Sequence, residues 1–468
     1  MDTLHDALYG PVTGLAEAIR RRQISVVEVV ESYLQRIEAV NTRLNAVVAL
    51  DAEGALAQAR DADTVLAQGD TDRLGPLHGV PMTIKDSFDT AGMVSTWGTP
   101  GRADAVPIED ATVVARLKSA GAILLGKTNT PELTLSFETH NPIHGRTNNP
   151  YDLERAPGGS SGGSAALVAV GAIPFDIGTD TGGSIRIPAH CCGITGLKPT
   201  TGRVPRTGHA ISPIGWLNSL TQPGPLARYV DDLHLLLSII AGPDGRDPTI
   251  APVPLRSPQA VSLPDLRAAF FTDNGIRAAT PDVTAIVQQA VSAVEAAGVS
   301  VTEARPPGIE ESLELLGKLM RGADGGEWVR RILNAAGTRP EESSLTRYLT
   351  VETPHVDGMV AIIERWDRFR QQMLTFLDDY DVIISPVVAF PALPHGTFAG
   401  DDYPGFSYTM PFNLTGWPAV AVPAGLSSTG LPVGVQIAAA PWREDIALAV
   451  ARQVEAALGG WQMPPAFV

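Results

Sequence analysis

The chain has 468 residues, 44% of them hydrophobic, enough to bury a large core as one domain or as two closely packed ones. Its 35 basic and 51 acidic residues leave a net charge of −16, which argues against a nucleic-acid-binding surface and for a soluble protein. The first 20 residues carry acidic groups and no continuous apolar run, so neither a signal peptide nor a membrane anchor is expected. The two cysteines, Cys191 and Cys192, are neighbours and make a poor disulfide, so they read as small buried residues and the expected location is cytoplasmic.

Ser25 to Glu28 has capping-box spacing, and Val26, Val27, Val30, Tyr33, Leu34 and Ile37 recur at helical intervals, which predicts a helix over 25–39. A second helix is expected over 51–68, both lying on the outside of the main domain. Gly75 to Gly79 is a turn and 80–84 a buried strand that ends at Lys85. A lysine there either returns the chain to solvent or, if held in an apolar pocket, becomes a neutral base.

A helix over 110–120 leads to a strand at 122–125. Gly121 to Thr128 satisfies the P-loop expression letter for letter, but the residues between its glycines are the strand itself and leave no phosphate cradle, so nucleotide binding is rejected. His140 and His144 are spaced for a helical metal site, yet Pro142 between them forbids the helix. No histidine sits in an H-E-x-x-H pattern, which argues against a zinc hydrolase, and no metal or other cofactor is expected.

The stretch 156–200 is the densest in chemistry. Two serine-bearing glycine loops, Pro157 to Gly163 and Thr179 to Ser184, frame a helix at 164–170 and a buried strand at 173–177. Glycines beside a serine let backbone N–H groups turn toward a substrate, as an oxyanion hole requires. Ser184 lacks the second glycine of the G-x-S-x-G elbow, which leaves a lysine held neutral by burial as the remaining base, with Lys85 the candidate. Its ordinary pKa of about 10.4 would have to fall by several units, and a second serine would pass the proton.

Further on, a helix at 230–241, a proline-rich connection at 242–263, a strand at 266–271, a helix at 281–297 and a strand at 299–301 form another α/β unit. The region 310–377 is largely helical and reads as a substrate-side cap or an outer layer. Strands at 381–385, 418–423 and 432–437 and a helix at 445–458 close the chain. The alternation predicts an α/β fold with a mixed, mostly parallel twisted central sheet covered by helices on both faces.

Pro157 to Gly163, Gly178 to Pro188 and Gly193 to Thr200 together resemble the signature of the amidase-signature family of serine hydrolases. Gly79 to Asp86 resembles that family's lysine strand, Gly126 to Glu132 its following segment, and Phe412 to Pro418 and Gly430 to Gln436 its C-terminal strands; 306–380 carries no match. The resemblance implies a single domain over 1–468, with N-terminal helices (1–70), a catalytic core (75–245), a variable helical cap (306–380) and C-terminal strands and helix (381–468). It also implies a triad in which Ser184 is the nucleophile, Ser160, after a cis Gly159–Ser160 peptide, the bridge, and Lys85 the base. Backbone N–H groups of Thr181, Gly182, Gly183 and Ser184 would form the oxyanion hole. Leu133, Thr134, Leu135 and Phe137 would line the acyl pocket. Ser161 would support the triad from behind, and Asp180 and Arg186 would brace the loops, the alternative for these two being substrate contact.

The activity so implied is hydrolysis of the C–N bond of small uncharged or hydrophobic amides through an acyl-enzyme, extending to esters and carbamates and so to a urethanase. The expected partner is a small molecule, with no nucleic acid and no membrane, and the chain is expected to be a monomer or homodimer. One alternative is the glutaminase component of a tRNA-dependent amidotransferase, which carries Ile-Arg-Gln-Pro after the nucleophile and Ser-Ser-Leu-Asp-Gln further on. This chain has Ile187 in the first motif and Asn218-Ser219-Leu220-Thr221-Gln222 in the second, which favours a stand-alone hydrolase. A binding protein that kept the scaffold is the remaining alternative, although all three triad residues are present.

Overall fold

The computed structural model describes residues 3–69, 74–211, 215, 219–322, 324–349, 355–398 and 400–468. Ser25 caps the helix Val26–Leu44 with both halves of a capping box, and Asn45 ends it in the left-handed conformation (φ 50°, ψ 47°). The buried stripe of that helix, Val26, Val29, Val30, Tyr33, Ile37, Val40 and Leu44, keeps the predicted period and carries it beyond position 39. The helix Ala52–Ala67, capped by Asp51, packs beside it.

The strands are β1 (Val47–Leu50), β2 (Pro81–Lys85), β3 (Ile123–Thr128), β4 (His140–Asn141), β5 (Gly145–Arg146), β6 (Phe175–Asp180), β7 (Thr195–Lys198), β8 (Gln222–Ala227), β9 (Arg267–Phe270), β10 (Ser300–Glu303), β11 (Val382–Pro386), β12 (Ala419–Leu426) and β13 (Pro432–Ala439). All but the β4–β5 hairpin form one 11-stranded sheet in the order β1-β3-β2-β6-β8-β7-β12-β13-β11-β9-β10. Strands β2, β3, β6, β8, β11 and β13 are buried at every position, so both faces of the sheet are covered, as expected.

The sheet is mixed, and its parallel pairings form two runs, β3-β2-β6 and β11-β9-β10. The pairings between those runs, and that of β1, are antiparallel, so the parallel share is smaller than the alternation of strands and helices suggested. The physical reason lies in the connections: helices span the crossovers of the parallel runs, whereas β12 and β13 are joined by a tight turn.

Strand β8, Gln-Pro-Gly-Pro-Leu-Ala, escapes sequence patterning because prolines demote a central strand. It survives because its pairing with β7 is confined to Leu226 and Ala227, past both prolines. Strand β1, strand β7 and the helix Arg186–Cys192 are likewise additions to the predicted elements. In the P-loop look-alike, Ile123–Thr128 is strand throughout, and the Lys127 ammonium donates to Phe88 O and Thr90 Oγ1 inside the protein, not toward a phosphate.

The region 306–380 is helical where described, with helices Ser312–Gly317, Glu327–Ala335, Thr346–Leu349 and Val356–Phe376. Residues 323 and 350–354 of it lie outside the described residues, as does Asn218. It is fastened to the sheet domain by polar contacts. The buried Glu132 carboxylate accepts from Thr99 Oγ1 (2.8 Å) and from Ser344 N and Oγ (2.7 and 2.6 Å), and Trp366 Nε1 donates to Leu414 O at 2.8 Å. No helix among the described residues is long and apolar enough to cross a membrane.

Candidate active site

Strands β2 and β6 are parallel neighbours, with Thr83 opposite Asp176 and Ile84 opposite Ile177, so their C-terminal ends emerge side by side. Lys85 is the last residue of β2 and Asp180 the last of β6. The loop that carries Ser184 therefore starts beside the lysine. Helix Gly162–Ala169, which leads into β6, packs on both strands and brings the turn at Ser160 and Ser161 to the same place.

The Lys85 side chain is fully buried, and its ammonium does not return the chain to solvent. Nζ donates to Ser160 Oγ at 2.6 Å, Thr179 Oγ1 at 3.0 Å and Ser161 Oγ at 3.1 Å, all neutral hydroxyls. Burial pushes its pKa well below the ordinary lysine value, opposed by the negative charges of Asp176 and Asp180. The Gly159–Ser160 peptide is cis, as the resemblance implied. Ser161, expected to act from behind, touches Nζ directly and also accepts from Thr179 N at 3.3 Å. Thr179 itself was not singled out in the sequence, although it opens the loop of Ser184.

Asp180 organises that loop. It accepts from Gly183 N (2.8 Å) and Ile185 N (3.2 Å), and the Arg186 guanidinium forks onto both of its oxygens. Arg186 also donates to Gln436 Oε1 and Asn413 Oδ1, each at 2.6 Å. Burial alone would raise the Asp180 pKa, but Arg186 and Asn413 together hold the carboxyl well below its usual range. Both residues are fully buried, and their hydrogen bonds run to the Ser184 loop and to its neighbours Asn413 and Gln436.

Gly183 adopts φ 133°, and a Cβ there would collide with Thr409 Oγ1. Of the four N–H groups expected to form an oxyanion hole, that of Gly183 is turned onto Asp180. Those of Thr181, Gly182 and Ser184 make no hydrogen bond among the described residues.

Ser184, Thr181 and Gly182 form the floor of a cleft of about 360 Å³. Of the four residues named for the acyl pocket, Thr134, Leu135 and Phe137 line this cleft, with Phe137 tilted against Phe406 at 5.1 Å between centroids. Leu133 does not. It is fully buried in the core, with its N–H donating to Trp97 O at 2.8 Å and its backbone at φ 48°. The opposite wall comes from 306–380, with Leu316, Met320, Arg347 and Tyr348. No sequence signal marks these, because they reach the cleft only through the packing of distant helices.

The sequence pattern of the amidase family matches residues 28–448. An acylamidase of Rhodococcus erythropolis is 37% identical over 95% of this chain and 94% of its own length. One component of the glutamyl-tRNA(Gln) amidotransferase of Roseiflexus sp. (strain RS-1) is 36% identical over 93% of both chains. Among solved structures, 6-aminohexanoate cyclic dimer hydrolase complexed with substrate superposes with a TM-score of 0.88, at 30% identity over 98% of this chain and 100% of that one.

Proposed function

The chain belongs to the amidase family of hydrolases that act on amide C–N bonds, and from that premise we propose that it is a stand-alone serine amidase using Ser184, Ser160 and Lys85. The observation that carries this reading is the buried, desolvated Lys85 ammonium 2.6 Å from Ser160 Oγ, beneath a cleft floored by Ser184. Neutral Lys85 takes the proton of Ser160, Ser160 takes that of Ser184, and Ser184 Oγ attacks the substrate carbonyl. The oxyanion is met by the N–H groups of Thr181, Gly182 and Ser184. Ser160 then gives the proton taken from Ser184 to the leaving amine as the C–N bond breaks, and is reprotonated by Lys85. In the second half water attacks the acyl-enzyme, a proton passes from it through Ser160 to Lys85, and the reverse transfer to Ser184 Oγ releases the acid.

The proposed substrates are small uncharged or hydrophobic amides, with esters and carbamates as further candidates. Leu135, Phe137, Leu316 and Met320 supply apolar walls that suit such a group. The second reading, the glutaminase component of an amidotransferase, is favoured by the nearly equal similarity to the amidotransferase relative, 36% against 37%. Against it stands Ile187, a fully buried apolar residue packed at Gly183 where the glutaminase motif has glutamine.

The test is steady-state hydrolysis by wild type and Ser184→Ala of one acyl group presented as anilide, ester and primary amide, together with an aryl carbamate and glutamine. Serine-dependent turnover of the apolar substrates supports the amidase reading, and the ranking selects among amidase, esterase and urethanase. Turnover of glutamine alone would replace it with the second reading.

A further inference from the structure

Beneath Lys85 lies a second carboxylate that the proposed mechanism does not use. The register of β2, β3 and β6 pairs Thr83 with Asp176 and Lys85 with Thr128, and the two-residue period of a strand puts Thr83 and Lys85 on one face. Asp176 is fully buried. Its Oδ2 accepts from Thr83 Oγ1 at 2.6 Å and from Thr128 Oγ1 at 3.0 Å, and Thr128 in turn meets Ser164 Oγ at 2.8 Å on the helix that follows Ser160 and Ser161. Its Oδ1 has no hydrogen-bond partner among the described residues.

The two acidic groups near Lys85 differ in one decisive respect. Asp180 is neutralised by Arg186 at 2.9 Å, whereas Asp176 makes no ion pair among the described residues and is held by neutral hydroxyls. The charged and titratable groups facing this cluster are Lys85 on β2, Lys127 on β3, Asp180 on β6 and, beside Lys85, His209. Lys127 is already served by Phe88 O, Thr90, Ser95 and Asp86, and burial keeps His209 neutral, at about 3. Asp176 is thus the carboxylate in the field of Lys85 that has no ion-pair partner among the described residues.

We propose that Asp176 is a positioning residue for the reaction: its carboxylate clamps the strands on either side of Lys85 and offsets the positive charge that appears on Nζ each time the lysine accepts the serine proton. This rests on Lys85 being the base. A neutral amine in an apolar pocket is a poor proton acceptor unless an opposite charge stabilises its ammonium form, and Asp176 supplies that charge without hydrogen-bonding Nζ and so without blocking Ser160. Burial raises the pKa of Asp176 itself to about 6, so it is ionised at neutral pH and above, where Lys85 works.

The test is the pH profile of kcat/KM for wild type, Asp176→Asn, Asp176→Glu and Lys85→Ala on one chromogenic anilide, with unfolding followed by circular dichroism. Asp176→Asn removes the charge and keeps the shape, so the acid limb should move to lower pH by about one unit and the plateau should fall by about tenfold. Asp176→Glu, which keeps the charge, should leave the limb in place. If Asp176→Asn does not fold, Asp176→Ser, which also drops the charge and offers Thr83 a hydroxyl, is read instead, with the same expected shift. An unmoved limb in the neutral variant, with Lys85→Ala inactive, overturns this role while leaving the base assignment standing. So does complete loss of the limb, which would assign it to Asp176's own titration. Full activity in Lys85→Ala overturns the base assignment and this inference with it.

Discussion

Asp180 and Arg186, six positions apart and on either side of Ser184, are joined by two hydrogen bonds of 2.9 Å, Nε to Oδ2 and Nη2 to Oδ1, with both side chains fully buried. This fork closes the nucleophile loop on itself, and through Arg186 it ties that loop to Asn413 and to Gln436 on β13. The loop thereby belongs to the interior of the protein. Breaking such a pair from one side leaves a buried charge without its partner, so Arg186→Met should cost about 3–5 kcal/mol of stability, measured by urea unfolding at neutral pH. A loss of less than about 1 kcal/mol would show that the pair is dispensable.

The same pair sets an acid dependence. The Asp180 carboxyl is held below its unfolded value, so its contribution to stability is fully present above the unfolded carboxylate range near pH 4 and is lost as pH falls toward and through the folded value. Urea midpoints taken from pH 6 to pH 2 should fall more steeply for wild type than for Asp180→Asn. Parallel curves would remove the fork from the account of acid unfolding.

For the catalytic assignment, Ser184→Ala should abolish turnover. Lys85→Ala should lower kcat/KM by about 10²–10⁴-fold, the range of a positioned acid–base group, while circular dichroism stays that of wild type. Near-normal rates in Lys85→Ala at neutral pH would falsify the lysine-base assignment.

Because the lysine must be neutral to accept a proton, kcat/KM should rise with pH through its acid limb and level off on the alkaline side. Burial moves that limb below the ordinary lysine value of about 10.4. The profile is read from pH 5 to 10 with a substrate that does not itself titrate. A rate that climbed as pH fell below about 6 would be incompatible with a neutral-amine base.

The two glycines before Ser184 should respond differently to an added methyl group. At Gly183, with φ 133° and Thr409 Oγ1 in the space an added Cβ would take, alanine forces the loop to move, and turnover should fall by at least about a hundredfold. At Gly182 the Cβ would sit 3.2 Å from Leu316 Cδ2 with no left-handed backbone to strain, so Gly182→Ala should fold normally and raise KM for bulky acyl groups by about tenfold. Adding Leu316→Ala should recover much of that loss. Equal damage at both positions would contradict the view that 306–380 forms one wall of the cleft.

Much of this was readable in the sequence because it is local. The capping box at Ser25, the buried run ending at Lys85 and the paired glycine loops around Ser160 and Ser184 are each written in neighbouring residues, where periodicity and turn chemistry act. Other features were decided by tertiary structure. Lys85 could have returned the chain to solvent, and only the parallel alignment of β2 and β6, with a helix packed above them, buries its ammonium among three hydroxyls. Leu133 was placed in the pocket by the family resemblance, yet it is fully buried in the core and does not line the cleft. Leu316, Met320 and Arg347 reach the cleft across more than a hundred positions of chain, and the Asp180 fork turns Gly183 N–H away from the site it was expected to serve. Sequence pattern records what each segment does with its neighbours along the chain. Which side chains meet across the sheet depends on register, crossover and helix packing, and those are settled only when the whole core closes.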